Sequence, residues 1–294
     1  MSRWTTDDLP DQTGRTFVVT GANSGLGRQT ASALAAVGAR VVLAVRDQAR
    51  GEQAAATMTG DVEVRHLDLA DLASVRRFAD AWAGPLDVLV NNAGLMAVPQ
   101  RRTADGFEMQ FGTNHLGHFA LTNLLLPAVT DRVVTVSSGL HRRGEIVLDD
   151  LNWERRRYSP YGAYGQSKLA NLLFTLELQR RLGADGSPVR SLAAHPGYAA
   201  TNLQGNQGPV RNALMGVANR LLAQSDAQGA LPTLHAAVVD LPGGSYVGPD
   251  RLSEMRGHPT LVGRSAAASD SVLADLLWDA SEELTGVRYP VRQP

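Results

Sequence analysis

The chain has 294 residues, 44% apolar and 19% charged, with 28 basic and 29 acidic side chains and a formal net charge of −1. This is a globular composition with enough apolar mass for a large core, and its near-neutral balance excludes a global field favouring nucleic acid or an anionic membrane. There is no cysteine, which excludes disulfides, thiolate catalysis and Cys-based zinc sites. The opening "MSRWTTDDLPDQTG" is polar and acidic, so residues 1–13 read as an N-terminal extension with no signal segment. No run of about 18 apolar residues is present to span a membrane, and a cytoplasmic protein is expected.

The pattern becomes regular after Gly14. "TFVVT" (16–20) reads as a strand, followed by a glycine-rich turn and a helical stretch, "RQTASALAAVG", ending at Gly38. Further strands are expected at "RVVLAV" (40–45), "VEVRHLDL" (62–69), "LDVLVNNAG" (86–94), "DRVVTVSS" (131–138), "VRSLAAHPG" (189–197) and "GSYVGPD" (244–250). A helical pattern, "LASVRRFADAWAG", follows the third. Near-continuous apolar strands alternating with helices imply a parallel sheet covered on both faces. The expected fold is α/β: a single Rossmann-type, doubly wound domain with a seven-stranded, mostly parallel sheet. Residues 139–163 and 198–231 leave carboxyl ends of strands, where open α/β sheets bind ligands, and read as active-site loops. The second carries an apolar stretch, "ALMGVANRLLA".

The turn "TGANSGLG" (20–27) places glycines at 21, 25 and 27 between the first strand and the first helix. A pyrophosphate needs backbone N–H groups at close range and a helix N-terminus facing its charge, and glycines permit that approach. The context points to a dinucleotide. Downstream, "AYGQSKLAN" (163–171) sets Tyr164 and Lys168 four residues apart, on one helix face. A free phenol titrates near pH 10, and a cation held nearby lowers that value towards the working pH. Tyr164 would then be a general acid/base tuned by Lys168.

With its G-x-x-x-G-x-G spacing, the chain resembles the short-chain dehydrogenase/reductase family. The family's motifs continue in order: "NNAG" (91–94), Asn114 in "TNHLGHF", "VSS" (136–138), "YGQSK" and "HPG" (195–197). "NHLGHFALTNLLLP" and "LWDASEELTG" are more similar to its retinol-dehydrogenase-like and WW-domain-oxidoreductase-like branch. The resemblance implies a catalytic set of Asn114, Ser138, Tyr164 and Lys168, with Ser138, rather than Ser137, and Tyr164 meeting the substrate oxygen. It implies that Lys168 binds the nicotinamide ribose, and that Asn114 holds a water linking the lysine to solvent. Gly21, Asn23, Ser24, Gly25, Leu26 and Gly27 would hold the pyrophosphate. Asp68 and Leu69 would meet the adenine, and Asn91, Ala93 and Gly94 the adenosine ribose side. Pro196, Gly197 and Thr201 would meet the nicotinamide.

Arg46 follows the end of the second strand, where an acid would favour NAD. Its planar fork suits a 2′-phosphate, so NADP is expected, with NAD the alternative if Asp47 faces the ribose. The expected function is an NADP-dependent oxidoreductase transferring hydride between nicotinamide and an apolar alcohol or carbonyl substrate. A catalytically weak NADP-binding sensor or assembly protein on the same fold is the alternative. Epimerases and dehydratases of the extended families usually carry G-x-x-G-x-x-G, against the spacing here. His115 and His118 lack a third ligand pattern and read as residues that pack or support the site from behind; no metal is expected. His195 reads as structural and Tyr161 as a pocket-wall residue. The Tyr–Lys helix has two apolar faces, and the second needs a neighbouring helix from this chain or from a homodimer partner.

Overall fold

The strand runs have apolar side chains at successive positions, and a strand sends neighbours to opposite sides of its sheet. Such strands need cover on both faces, and the structure supplies it. The computed structural model describes residues 3–197 and 225–290. These form one eight-stranded sheet in the order β3-β2-β1-β4-β5-β6-β7-β8. The strands are β1 (Thr16–Thr20), β2 (Arg40–Val45), β3 (Asp61–His66), β4 (Leu86–Asn91), β5 (Val129–Val136), β6 (Arg190–Ala194), β7 (Tyr246–Arg251) and β8 (Arg256–Leu261).

Seven run parallel and β8 returns antiparallel beside β7. The doubly wound α/β expectation holds, with one strand more than expected. β8 reads "RGHPTL", in which Gly257, His258 and Pro259 obscure the β pattern. Pro259 is tolerated because β8 is an edge strand. The N-terminal segment packs here: His258 Nδ1 donates to the Trp4 carbonyl at 3.1 Å, and the Trp4 ring meets His235 edge-on.

The two faces hold separate cores. Val18, Val42, Leu89 and Val133 point one way, towards α3 (Leu72–Asp80), α5 (Gly117–Leu125), α6 (Pro160–Ala184) and α8 (Ser271–Thr285). Phe17, Val19, Val41, Leu43, Val88, Val90 and Val134 point the other way, towards α1 (Gly25–Ala36) and α7 (Asp226–Val238). The short α2 (Gln48–Ala55) follows β2, and α4 (Met109–Phe111) leads through a π turn, Gly112–Leu116, into α5.

Two expected loops are partly helical. Residues 139–163 include 3₁₀ turns at Gly139–Arg143 and Leu148–Asp150, and α6 already begins at Pro160. Within 198–231, residues 226–231 belong to α7, whose start Ser225 caps by accepting from the Gln228 amide. "ALMGVANRLLA" lies outside the described residues. Among the described residues no helix is long and apolar enough to cross a membrane.

The second apolar face of α6 is covered from within the chain. Trp278 of α8 stacks on Phe174 at 5.7 Å between ring centroids, meets Phe119 edge-on at 4.8 Å, and lies under the Arg181 guanidinium. The face that could have paired across a two-fold is thus taken by α8. Trp278 is 2% exposed, so Trp278→Ala leaves a large cavity and is expected to destabilise the protein by about 3–5 kcal/mol in denaturant unfolding.

Candidate active site

β1 and β4 are neighbours whose crossovers leave in opposite directions, so a crevice opens at their carboxyl ends. A cleft of about 310 Å³ lies there, above the N-terminus of α1. Of the residues expected at the cofactor, Gly21, Asn23, Ser24, Gly25, Leu26, Gly27, Arg46, Asp68, Leu69, Ala93 and Gly94 line it.

The local geometry explains the glycine spacing. A Cβ on Gly27 would collide with the Asn92 side chain and lie 2.7 Å from the Gly21 carbonyl. Only glycine lets the first turn of α1 pack against the turn after β4. Gly25 has φ +56 and faces open space. Ser24 is the N-cap of α1, yet its side chain caps no amide. An uncapped helix start opening onto a glycine cradle fits a phosphate group.

At the adenosine end, Asp47 lines the cleft beside Arg46. Its Oδ1 accepts from the Arg50 amide at 3.1 Å and caps α2. Arg46 and Arg50 both line the cleft. Arg50 was not expected, although its i,i+4 spacing from Arg46 in "RDQAR" was visible in the sequence.

One expectation shifts by a residue. Asn91, the last residue of β4, points into the helix layer, where its Nδ2 donates to Thr122 Oγ1 at 2.8 Å. The next side chain, Asn92, turns to the cleft and donates to the Thr20 carbonyl at 2.8 Å. Pro196 and Gly197 follow β6 and lie beyond the cleft lining. Thr201 lies outside the described residues.

Tyr164 and Lys168 sit on α6, Ser138 just after β5, and Asn114 in the π turn. Gly165 brings two of these segments together. The turn after Ser138 runs so close to α6 that a Cβ on Gly165 would lie 3.1 Å from the Leu140 carbonyl, and one on Gly144 would strike the Gly165 carbonyl. The two serines have different tasks. Ser137 Oγ donates to the Lys168 carbonyl at 2.8 Å, whereas Ser138 Oγ accepts from the Leu140 amide at 3.2 Å and stands beside the Tyr164 phenol. His141 Nδ1 fixes the Ser138 main chain by donating to its carbonyl at 2.7 Å.

Asn114 is fully engaged. It accepts from the Leu95 amide, donates to the Leu95 carbonyl, and donates to Ser167 Oγ, all within 2.9 Å. Its side chain therefore ties the π turn to α6. The two histidines on this segment face different partners. His115 Nε2 meets Ser281 Oγ at 3.0 Å among aromatic rings. His118 spans Thr20 and the Asn114 carbonyl. Among the described residues no group of three or more His, Asp or Glu side chains could hold a metal.

The electrostatics differ from the simple expectation. Lys168 Nζ donates to the Val136 carbonyl at 3.0 Å and lies 5.7 Å from the Tyr164 ring centroid. Burial pushes the Tyr164 phenol up to about 12, against a hydrogen bond from Ser138 that lowers it. Burial alone pulls Lys168 down to about 8. At neutral pH the phenol keeps its proton and the lysine is mostly charged. The pair is thereby set as a proton donor beside a cation.

Buried Lys168 works against folding. Its folded value lies below the unfolded one, so the destabilisation is full below about pH 8 and fades as pH rises towards 10.5. Asn171 Nδ2 also donates to the Val136 carbonyl, at 3.1 Å, and would keep it satisfied in a variant. Lys168→Met is expected to stabilise the protein by about 1–3 kcal/mol at pH 7, with the gain shrinking as pH rises above about 8. Thermal unfolding across that range checks it; a gain independent of pH would contradict it.

Residues 15–212 match the family model described as short chain dehydrogenase. The chain is 42% identical to retinol dehydrogenase 13 of Homo sapiens over 296 residues, covering 94% of this chain and 86% of that protein. It is likewise 42% identical to polyprenol dehydrogenase of Mus musculus over 297 residues, covering 95% and 86%. A crystal structure of an uncharacterised protein from Mycobacterium Paratuberculosis is 58% identical, covers 98% of this chain and 100% of that one, and superposes with a TM-score of 0.88.

Proposed function

The chain belongs to the short-chain dehydrogenase family, and we propose that it is an NADP-dependent oxidoreductase interconverting an apolar alcohol and its carbonyl. One observation carries this reading: Tyr164, held as a phenol by burial, stands beside Ser138 with the Lys168 ammonium one helical turn on. Lys168 Nζ lies against Gly94, which lines the cleft.

Gly21 to Gly27 and the start of α1 would hold the pyrophosphate, and Arg46 with Arg50 the 2′-phosphate. Bound NADPH supplies the hydride. Tyr164 Oη donates its proton to the carbonyl oxygen as charge develops there. Ser138 Oγ donates a second hydrogen bond to the same oxygen. Lys168 stabilises the phenolate left behind, and Asn114, through Ser167, holds the segment that carries both. Such a positioned acid contributes about 10²–10⁴ in rate. The names of the relatives, retinol and polyprenol dehydrogenases, support an apolar substrate.

The test is a pair of measurements. NADPH should bind at least about tenfold tighter than NADH, since a 2′-phosphate clamped by arginine gains charge-assisted hydrogen bonds. Tyr164→Phe should keep that binding and lose at least about 10²-fold in reduction of a long-chain or retinoid aldehyde. Full activity in that variant would overturn the mechanism. Tight NADPH binding with no turnover of any carbonyl would favour a cofactor-binding sensor on this fold.

A further inference from the structure

The turn between β7 and β8 is left-handed. Leu252, Ser253 and Glu254 have φ of 50°, 53° and 66°, a conformation that L-residues with side chains disfavour. The Met255 amide closes it on the carbonyls of Arg251, at 3.1 Å, and Leu252, at 3.2 Å. The turn aims the Glu254 carboxylate at the back of the active site. Its Oε2 lies 3.3 Å from His195 Nε2, and its Oε1 accepts from Arg142 at 3.3 Å.

His195 is 1% exposed and neutral, because burial pulls it down to about 3. Its Nδ1 accepts from the Gly197 amide at 3.2 Å. The single ring proton must then sit on Nε2, which has no well-aligned acceptor among the described residues. The Gly197 amide favours that tautomer, and the Glu254 carboxylate, 3.3 Å from Nε2, adds a negative charge beside the proton. Gly197 has φ +69 and starts the segment leaving β6. Arg142, the other group held by Glu254, adjoins His141, whose ring fixes the Ser138 carbonyl.

We propose that Glu254 is a positioning residue: it holds His195 in the Nε2–H tautomer and so sets the Gly197 amide at the start of the segment leaving β6, a role that rests on the oxidoreductase reading, in which this segment meets the nicotinamide. Without the carboxylate, a proton on Nδ1 would face the Gly197 N–H donor to donor, and the turn would shift.

The test reads the tautomer directly. Long-range ¹H–¹⁵N spectra of ¹⁵N-histidine protein at pH 7, with the His195 signal assigned by its loss in His195→Asn, should show Nε2–H in the parent. Glu254→Ala should move it to Nδ1–H or a mixture. Glu254→Gln should keep it, because an amide oxygen at that place still presents partial negative charge to the Nε2 proton. In single turnovers, Glu254→Ala should slow hydride transfer about tenfold with NADPH affinity within about twofold, the signature of lost alignment rather than lost binding. Glu254→Gln should stay close to the parent. Retention of Nε2–H in Glu254→Ala, or a Gln variant as impaired as the Ala variant, would overturn the proposal. If the parent transfers no hydride, the oxidoreductase reading fails, and the tautomer comparison still decides the role of Glu254.

Discussion

The Thr20 hydroxyl is the knot on which the site depends. Thr20 ends β1 and is fully buried. Its Oγ1 accepts from the amides of Asn92 and Ala93, both at 2.9 Å, and meets His118 Nε2 at 2.9 Å. His118 Nδ1 reaches the Asn114 carbonyl at 3.0 Å, so Nδ1 carries the proton and Thr20 donates to Nε2. One hydroxyl thereby joins the strand before the glycine turn, the turn after β4 and the π turn. Asn114 extends the chain of hydrogen bonds to Ser167 on α6. The glycine cradle and the Tyr–Lys pair are thus parts of one network, and burial strengthens each link because no water competes for it.

Burial also sets the chemistry. Tyr164 and Lys168 are both deep on α6, and the same desolvation that raises the phenol lowers the ammonium. Burial drives the two values apart and leaves the phenol protonated at neutral pH. Helix α6 can be this apolar because the sheet covers one face and α8 the other. Trp278 therefore supports a helix whose far end bears the reacting groups.

Much of this was legible in the sequence, for physical reasons. Glycine positions encode close backbone approach, and Gly21, Gly25 and Gly27 all line the cleft. The i,i+4 spacing of Tyr164 and Lys168 encodes a shared helix face. β-branched runs encode buried parallel strands. What escaped has no local signature. β8 is a strand built against its own propensities at Gly257 and Pro259. Asn91 and Asn92 differ by the half-period that decides which side of a strand end a residue faces. Thr20 and His118 meet across 98 positions, and Glu254 reaches His195 only through a left-handed turn. Arg50 had a local cue, a second arginine four residues after Arg46 in "RDQAR".

The most direct measurement of the central claim follows the label. The protein is incubated with NADPH carrying deuterium at both C4 positions and with an apolar aldehyde, such as retinaldehyde or a long-chain aliphatic aldehyde. Mass spectrometry of the product alcohol should show one deuterium on the carbinol carbon, and Tyr164→Phe should abolish its appearance. Tight NADPH binding with no deuterium in any alcohol, or undiminished transfer in Tyr164→Phe, would contradict the account.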